Sequence, residues 1–290
     1  MKNYKILLFT FLIVPLLSFS QEKAKDSIVE KPERPAFESS SIIDNQTNVL
    51  FSKNTLEVVM QHRFGLMDEE NSLLGIYGAN SNIRIGLSYS ILDWVTVGYG
   101  ITKKNRISDF NLKAGILTQT RSGSTPFSLT YYGNIAIDGR SGSANDGVFL
   151  TKQDRYSYFH QLILARRFSP KFSMQIAPSL SHYNAVDYGY ENDRISVALG
   201  GRLKISPQTS ILFDYSQPIT SLEDDPDTGL SYNNPGISLG VEFSTSAHAF
   251  QIFITNFNGI VPQQNYMKNT NDFFDKGMLI GFNITRVYNF

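Results

Sequence analysis

Four histidines are the first residues to weigh for chemistry: His62, His160, His182 and His248. A hydrolytic site on a strand surface needs a serine within hydrogen-bond reach of such a ring. None of the four has a serine two residues further on. Ser179 and Ser181 precede His182 but fall on the opposite face or in the wrong direction. His62 and His160 are expected at a membrane interface rather than on a metal. Cysteine is absent, which excludes thiol catalysis, thiolate metal sites, disulfides and a cysteine-linked lipid anchor. Gly98-Tyr99-Gly100 lacks the third glycine and the following helix of a dinucleotide fingerprint. It reads instead as small residues relieving crowding inside a barrel. Glu223, Asp224, Asp225 and Asp227 offer hard oxygens for calcium, but the spacing is not that of an EF-hand loop and Pro226 interrupts it. A solvated acidic loop is the simpler reading. No catalytic residue, metal site or cofactor is therefore expected.

What remains is charge placed with a period of two. Formal net charge is zero over 290 residues, and no basic run is long enough to follow nucleic-acid phosphates. Within alternating segments, Glu57, Arg63, Arg84, Lys113, Arg194, Arg202, Lys204 and Glu242 all occupy the polar face. The segment 194–205 is the clearest. Ile195, Val197, Leu199, Leu203 and Ile205 share one side; Arg194, Ser196, Arg202 and Lys204 share the other. That is a β-strand with one apolar and one polar face. A cation at the lipid-facing midplane costs roughly 2–4 kcal/mol, so the polar face should line a lumen. Arg166 and Arg286 break the rule near strand ends, where the cost falls to about 0–1 kcal/mol and the side chain can snorkel.

About twelve such segments follow one another, at 55–64, 82–91, 95–102, 110–119, 127–138, 156–168, 172–183, 194–205, 210–217, 237–243, 249–256 and 278–288. Most have the length a tilted strand needs to cross a bilayer. Their connections alternate. Tight links at 93–94, 121–126, 169–171, 206–208 and 244–247 alternate with links at 65–81, 103–109, 139–155, 184–193, 218–236 and 257–277, most of them longer. Short turns on one rim and long loops on the other, with an even strand count, predict an all-β transmembrane antiparallel up-and-down β-barrel with both termini periplasmic. The chain has 15 Tyr and 21 Phe. Trp94, Phe127, Phe168, Phe172, Phe243 and Tyr288 fall beside the short turns, and Phe64, Tyr99, Phe110, Tyr131, Tyr156, Tyr183 and Tyr215 toward the long loops, as interface girdles require.

Residues 1–20 read as a cleaved secretory signal: Lys2 and Lys5, an apolar stretch from Ile6 to Leu17, then Ser18-Phe19-Ser20 before Gln21. Residues 21–54 are polar and aperiodic, a periplasmic lead-in that is either flexible or a partial plug near Phe37 to Val49. Residues 55–290 form the barrel.

Certain stretches resemble a domain-of-unknown-function family of Gram-negative outer-membrane β-barrel proteins. They are His62-Arg63-Phe64-Gly65, Asn82-Ile83-Arg84-Ile85-Gly86-Leu87-Ser88-Tyr89, Gln161-Leu162-Ile163-Leu164-Ala165-Arg166-Arg167-Phe168-Ser169 and Gly281-Phe282-Asn283-Ile284-Thr285-Arg286. The resemblance covers about Phe37 to Phe290. It implies a barrel exported across the inner membrane and brings no substrate or catalytic residues. The terminus also looks like the signal read by the barrel-assembly machinery, with Ile280, Phe282 and Ile284 alternating before Tyr288 and Phe290.

The expected partners are outer-membrane lipid, lipopolysaccharide, the assembly machinery and a small anionic solute. The expected role is passive: a narrow pore or solute-binding barrel with a mildly basic lumen. Arg63, Arg84, Lys113 and Arg202 would set selectivity, with Glu57 and Glu242 as balancing acids. Two alternatives stand beside it. One is a closed structural or surface-interaction barrel that uses the loops 139–155 and 257–277. The other is a soluble periplasmic lipid-binding barrel, which would invert the two faces.

Overall fold

Each alternating segment of the sequence is a strand, and each strand pairs antiparallel with the next. The computed structural model describes residues 30–140, 149–186, 191–224 and 228–290. The proposed signal and its cleavage point lie outside these residues, as do Asp225 to Asp227 of the acidic cluster. A short hairpin, β1 (Ser41–Ile42) and β2 (Asn45–Gln46), precedes the barrel. The barrel strands are β3 (Thr55–Leu66), β4 (Asn82–Leu92), β5 (Val95–Thr102), β6 (Ile107–Leu117), β7 (Ser128–Ile137) and β8 (Tyr156–Arg167), then β9 (Phe172–Tyr183), β10 (Asp193–Lys204), β11 (Thr209–Pro218), β12 (Gly236–Ser244), β13 (His248–Thr255) and β14 (Leu279–Asn289). They form one closed ring of 12 strands, sealed where β14 pairs with β3 from Asn289–Thr55 to Leu279–Leu66. Closure leaves no edge strand with unpaired backbone groups, the condition for a sheet to sit in lipid.

The two faces segregate as the alternation requires. Along β10, Ile195 and Leu203 are 54% and 46% exposed, while Arg194 and Arg202 are 0% and 6%. Large apolar side chains on the outside are the reverse of a soluble lipid-binding barrel. Exposed Trp94, Phe168, Phe172, Phe243 and Tyr288 ring the short-turn rim, and Tyr99 and Phe110 form a tilted outward pair 5.0 Å apart toward the long-loop rim. Arg166 and Arg286 point outward close to the turn rim, each over a neighbouring aromatic ring, Phe168 and Tyr288, at 5.1 and 4.7 Å. Tyr183 departs from the girdle: it lies on the inward face of β9, with the Lys268 ammonium 5.3 Å from its ring.

Inside the barrel the chain supplies its own filling. Residues 36–49 enter from the turn rim and place β1 and β2 in the lumen, so this part of the lead-in is ordered chain held by barrel side chains. Ile42 and Ile43 pack with Phe37 against inward Phe159, Ile163, Leu212 and Phe253. The lumen thus holds a small apolar core, which the polar-inside expectation omits. From the other rim the 256–278 connection turns inward. Its short helix α1 (Pro262–Lys268) is buried from Pro262 to Met267. That loop is therefore interior over this stretch rather than a surface contact loop.

Candidate functional site

The lumen is where the charged strand residues converge, and the hairpin tip decides what they do there. Arg63 projects from β3 because its parity is that of Glu57 and Gln61, which are also buried. Its guanidinium donates to Asp44 Oδ1 at 2.8 Å, to Asn283 Oδ1 at 3.0 Å and to the carbonyls of His62 and Ile43, and it lies 4.5 Å from the Phe253 ring. Asp44 Oδ2 accepts from Ser238 Oγ at 2.6 Å and Thr255 Oγ1 at 2.8 Å. Asp214 on β11 accepts from the Asp44 and Asn45 backbone N–H groups, both at 3.0 Å, and from Asn45 Nδ2 at 2.8 Å. A charge this buried persists only when paired and hydrogen-bonded; Arg63 and Asp44 meet both conditions, whereas the partners of Asp214 are neutral amide donors.

The same network holds a strained turn. Ile43 has φ of +51°, a region β-branched residues rarely adopt. Its N–H donates to Gln251 Oε1 at 3.3 Å, and its carbonyl accepts from Asn283 Nδ2 at 2.8 Å. Such strain, of order 1–3 kcal/mol, survives where the surroundings over-determine the conformation.

Other predicted lumen residues also bind the filling or each other. Lys113 Nζ donates to the Ser40 carbonyl at 2.8 Å. Arg202 pairs with Glu38 at 2.9 Å and lies 3.5 Å from Glu242, which itself accepts from Ser39 Oγ and Gln251 Nε2. Arg84 forks onto Asp109 at 2.8 and 2.7 Å. Gly86 and Gly100 make that possible: a Cβ would sit 2.6 Å from Arg84 Nη1 at the first and 2.2 Å from Arg84 Nη2 at the second, while Gly98 makes room for Ser88 and Asn111. Glu57 shares a cavity of about 40 Å³ with Lys113 and Arg84. Lys204 is half-buried near the turn rim, away from this network. Arg194 stands apart, because all its acceptors are neutral: the carbonyls of Thr220, Tyr232 and Tyr266, and Asn233 Oδ1. It clasps two long loops over the lumen rather than lining a path.

Three acids are missing from the expected set: Asp44 and Asp109, which pair with Arg63 and Arg84, and Asp214, which holds the hairpin tip. Asp214 was readable, since it alternates with inward Ser210 and Ser216. Asp109 sits on the buried parity of β6, ahead of the point where the sequence segment begins. Asp44 lies in an aperiodic stretch without a comparable signal.

The two fillings meet. Tyr266 on α1 stacks on Phe159 at 5.5 Å, and its hydroxyl donates to Asn45 Oδ1 at 2.7 Å. Gln263 reaches Asn134 on β7 at 2.9 Å.

The histidines sit elsewhere. His62 stacks on Phe282 at 5.2 Å, His160 bonds to Tyr131 at 2.7 Å, and His182 bonds to Asp193 at 2.7 Å. No hydrogen bond joins a serine hydroxyl to the His182 or Asp193 side chain among the described residues. Of the terminal signal, Phe282 and Ile284 face outward and half-buried, while Tyr288 and Phe290 are exposed.

The fold is similar to solved outer-membrane barrels. The COG4313 outer membrane channel from Pseudomonas putida F1 is 13% identical, with 83% of this chain and 97% of that one covered at a TM-score of 0.47. The NanC porin is 8% identical, with coverage of 81% and 99% at 0.48. LpxR from Salmonella typhimurium is 11% identical, with coverage of 81% and 100% at 0.37. These are distant likenesses, and what those proteins do is not carried to this chain. No curated protein matches the sequence. A family model does, over residues 37–288, which takes in the hairpin as well as the barrel. The chain belongs to the family described as a membrane bound beta barrel domain (DUF5777).

Proposed function

We propose that this is an outer-membrane barrel held shut at rest by its own chain, with the turn rim and both chain termini facing the periplasm. The outward apolar band and the sorting of short turns and long loops between rims support that orientation. The observation that carries the closed state is the junction of the two fillings, Tyr266 Oη on Asn45 Oδ1 at 2.7 Å, within the lumen. A resting lumen that selects anions has less support, because Asp44, Asp109, Glu38 and Glu242 pair with its arginines. The role is passive, and its contact with solutes lies at the loop rim. A second reading, a gated pore, is favoured by how the hairpin tip is held: hydrogen bonds and ion pairs dominate there, and such contacts can exchange for water.

Planar-bilayer conductance tests both. The full chain is expected to carry no steady current. Steady ohmic current through the unaltered protein would end the closed reading. Brief openings that appear only when Asp44→Asn and Tyr266→Phe are combined would establish the gated one.

A further inference from the structure

We propose that two copies of this barrel pair within the membrane across the outward face of β7, β8 and β9, with Tyr131 and His160 at the centre of the contact. The inference goes beyond the closed barrel and holds whether the lumen opens or not.

Elsewhere around the ring the outward face at mid-strand is oily: Leu87, Phe213, Leu239 and Ile252 are exposed there. The sector at β7 and β8 differs. Tyr131 points outward from β7, four residues past Phe127 at the turn rim, and its hydroxyl shares a hydrogen bond with His160 Nδ1 on β8 at 2.7 Å. His160 is exposed and lies two residues further into β8 than Tyr158. The pair therefore sits between the two aromatic girdles, at hydrocarbon depth, rather than at an interface. His62 has the matching place on β3, but the rings of Phe64 and Phe282 cover it at 4.4 and 5.2 Å.

The wall is shaped around this pair. A Cβ at Gly133 would lie 2.7 Å from the Tyr131 Oη atom, so that glycine lets the phenol lie along the wall toward His160. On β9, Pro178 has no N–H for the ladder, and the β8–β9 register skips Leu162 and Ile163 across from it. A glycine inside a strand often marks a close approach, and a proline is ordinarily found at a sheet edge. His160 Nε2 makes no hydrogen bond among the described residues. Lipid tails offer it none, and polar side chains at such depth are kept where they meet a partner.

Symmetry identifies that partner. Copies inserted by one route share one orientation, so a two-fold axis between them runs along the membrane normal and returns each residue at its own depth. A second copy thus brings its own phenol and imidazole to the level where this one needs them. A neutral imidazole carries one donor and one acceptor, and a phenol carries both, so the set is self-complementary. Leu162 and Leu180, 45% and 40% exposed, flank it with apolar surface.

The chain has no cysteine, so single replacements report the contact directly. In outer membranes of expressing cells, a short bismaleimide is expected to link Leu162→Cys into a covalent dimer and to leave Ile252→Cys, on the far wall, monomeric. Adding Tyr131→Phe and His160→Leu to the Leu162→Cys chain removes both polar groups from the lipid face. The dimer yield is then expected to fall about tenfold, as when a hydrogen bond made twice across the axis is lost. Heat-modifiable migration checks that each variant is folded. A second measurement avoids the β8 face: energy transfer between donor- and acceptor-labelled Ile252→Cys proteins in phosphatidylcholine vesicles is expected, and is expected to weaken when the polar pair is removed. Monomer at both positions without energy transfer, equal linking at both, a link to a different protein, or a dimer indifferent to the double replacement overturns the proposal.

Discussion

The Tyr266 hydroxyl donates to Asn45 Oδ1 at 2.7 Å, joining chain that enters the barrel from opposite rims. Asn45 is 4% exposed and Tyr266 2%, so the closed barrel keeps this contact away from bulk water. Tyr266→Phe keeps the ring on Phe159 and removes the donor. Asn45 Oδ1 then keeps only Gln161 Nε2 at 3.5 Å and Ser216 Oγ loses its 3.1 Å contact with the hydroxyl, so the expected cost is about 1–3 kcal/mol, as for a buried group left poorly matched. Amide hydrogen exchange should report it locally, with faster exchange at residues 41–46 and 262–268 and none across the strands. Equal acceleration over the whole barrel would mean that this contact supports the wall and is not a junction between fillings.

The Arg63–Asp44 pair makes a stronger demand. Both side chains are almost fully buried, and removing one partner leaves the other charge without its counter-ion. Arg63→Met is expected to lose about 3–5 kcal/mol, read as a lower urea midpoint for the folded barrel. Arg63→Met with Asp44→Leu should recover most of that loss, since replacing both members of a buried pair is often near neutral. A double variant as weak as the single one would show that Asp44 acts through Ser238 and Thr255 rather than through Arg63.

Much of this was legible in the sequence, for a physical reason. A strand in lipid must alternate faces, so the residues around Ile195 and Arg202 announce both strand and direction, and loop lengths announce the rims. The filling obeys no such period. Asp44, Ile43 and Tyr266 sit in stretches whose conformation is set by contacts with strands distant in sequence, among them β3, β11, β13 and β14. Arg63 and Arg202 could be placed inside from alternation, but their partners Asp44 and Glu38 could not. A mildly basic lumen follows from counting only what alternation reveals.

Gly100 tests the crowding argument. A Cβ there would fall 2.2 Å from the Arg84 Nη2 atom, so Gly100→Val must displace the guanidinium from Asp109. The expected result is a destabilised barrel, by about 1–3 kcal/mol from overpacking, partly rescued when Arg84→Ala and Asp109→Ala together remove both members of the pair. No rescue would place the strain in the β5 backbone instead.

The lipid face gives a prediction graded by depth. Leu199 lies near the middle of β10 on the outward face, and Ile205 just beyond the strand at the turn rim. Leu199→Arg is expected to cost roughly 2–4 kcal/mol and Ile205→Arg about 0–1 kcal/mol, because the second guanidinium can reach headgroups. Folded and unfolded fractions in a urea series in lipid vesicles give both values. Equal penalties at the two sites would place the bilayer elsewhere on the barrel.

The terminal strand bears on assembly as distinct from stability. Phe290 is 82% exposed; its backbone N–H reaches the Asn54 carbonyl at 3.2 Å, and its ring contributes little to the folded wall. Deleting it should therefore leave the urea midpoint of refolded protein within about 0.5 kcal/mol, as for surface changes generally. If the alternating Phe282, Ile284, Tyr288 and Phe290 serve as a signal for the assembly machinery, the same deletion should lower the amount of heat-modifiable protein in the outer membrane of expressing cells. The two measurements separate the roles. Normal levels in cells would remove the signal assignment, and a lowered midpoint in vitro would make Phe290 part of the fold.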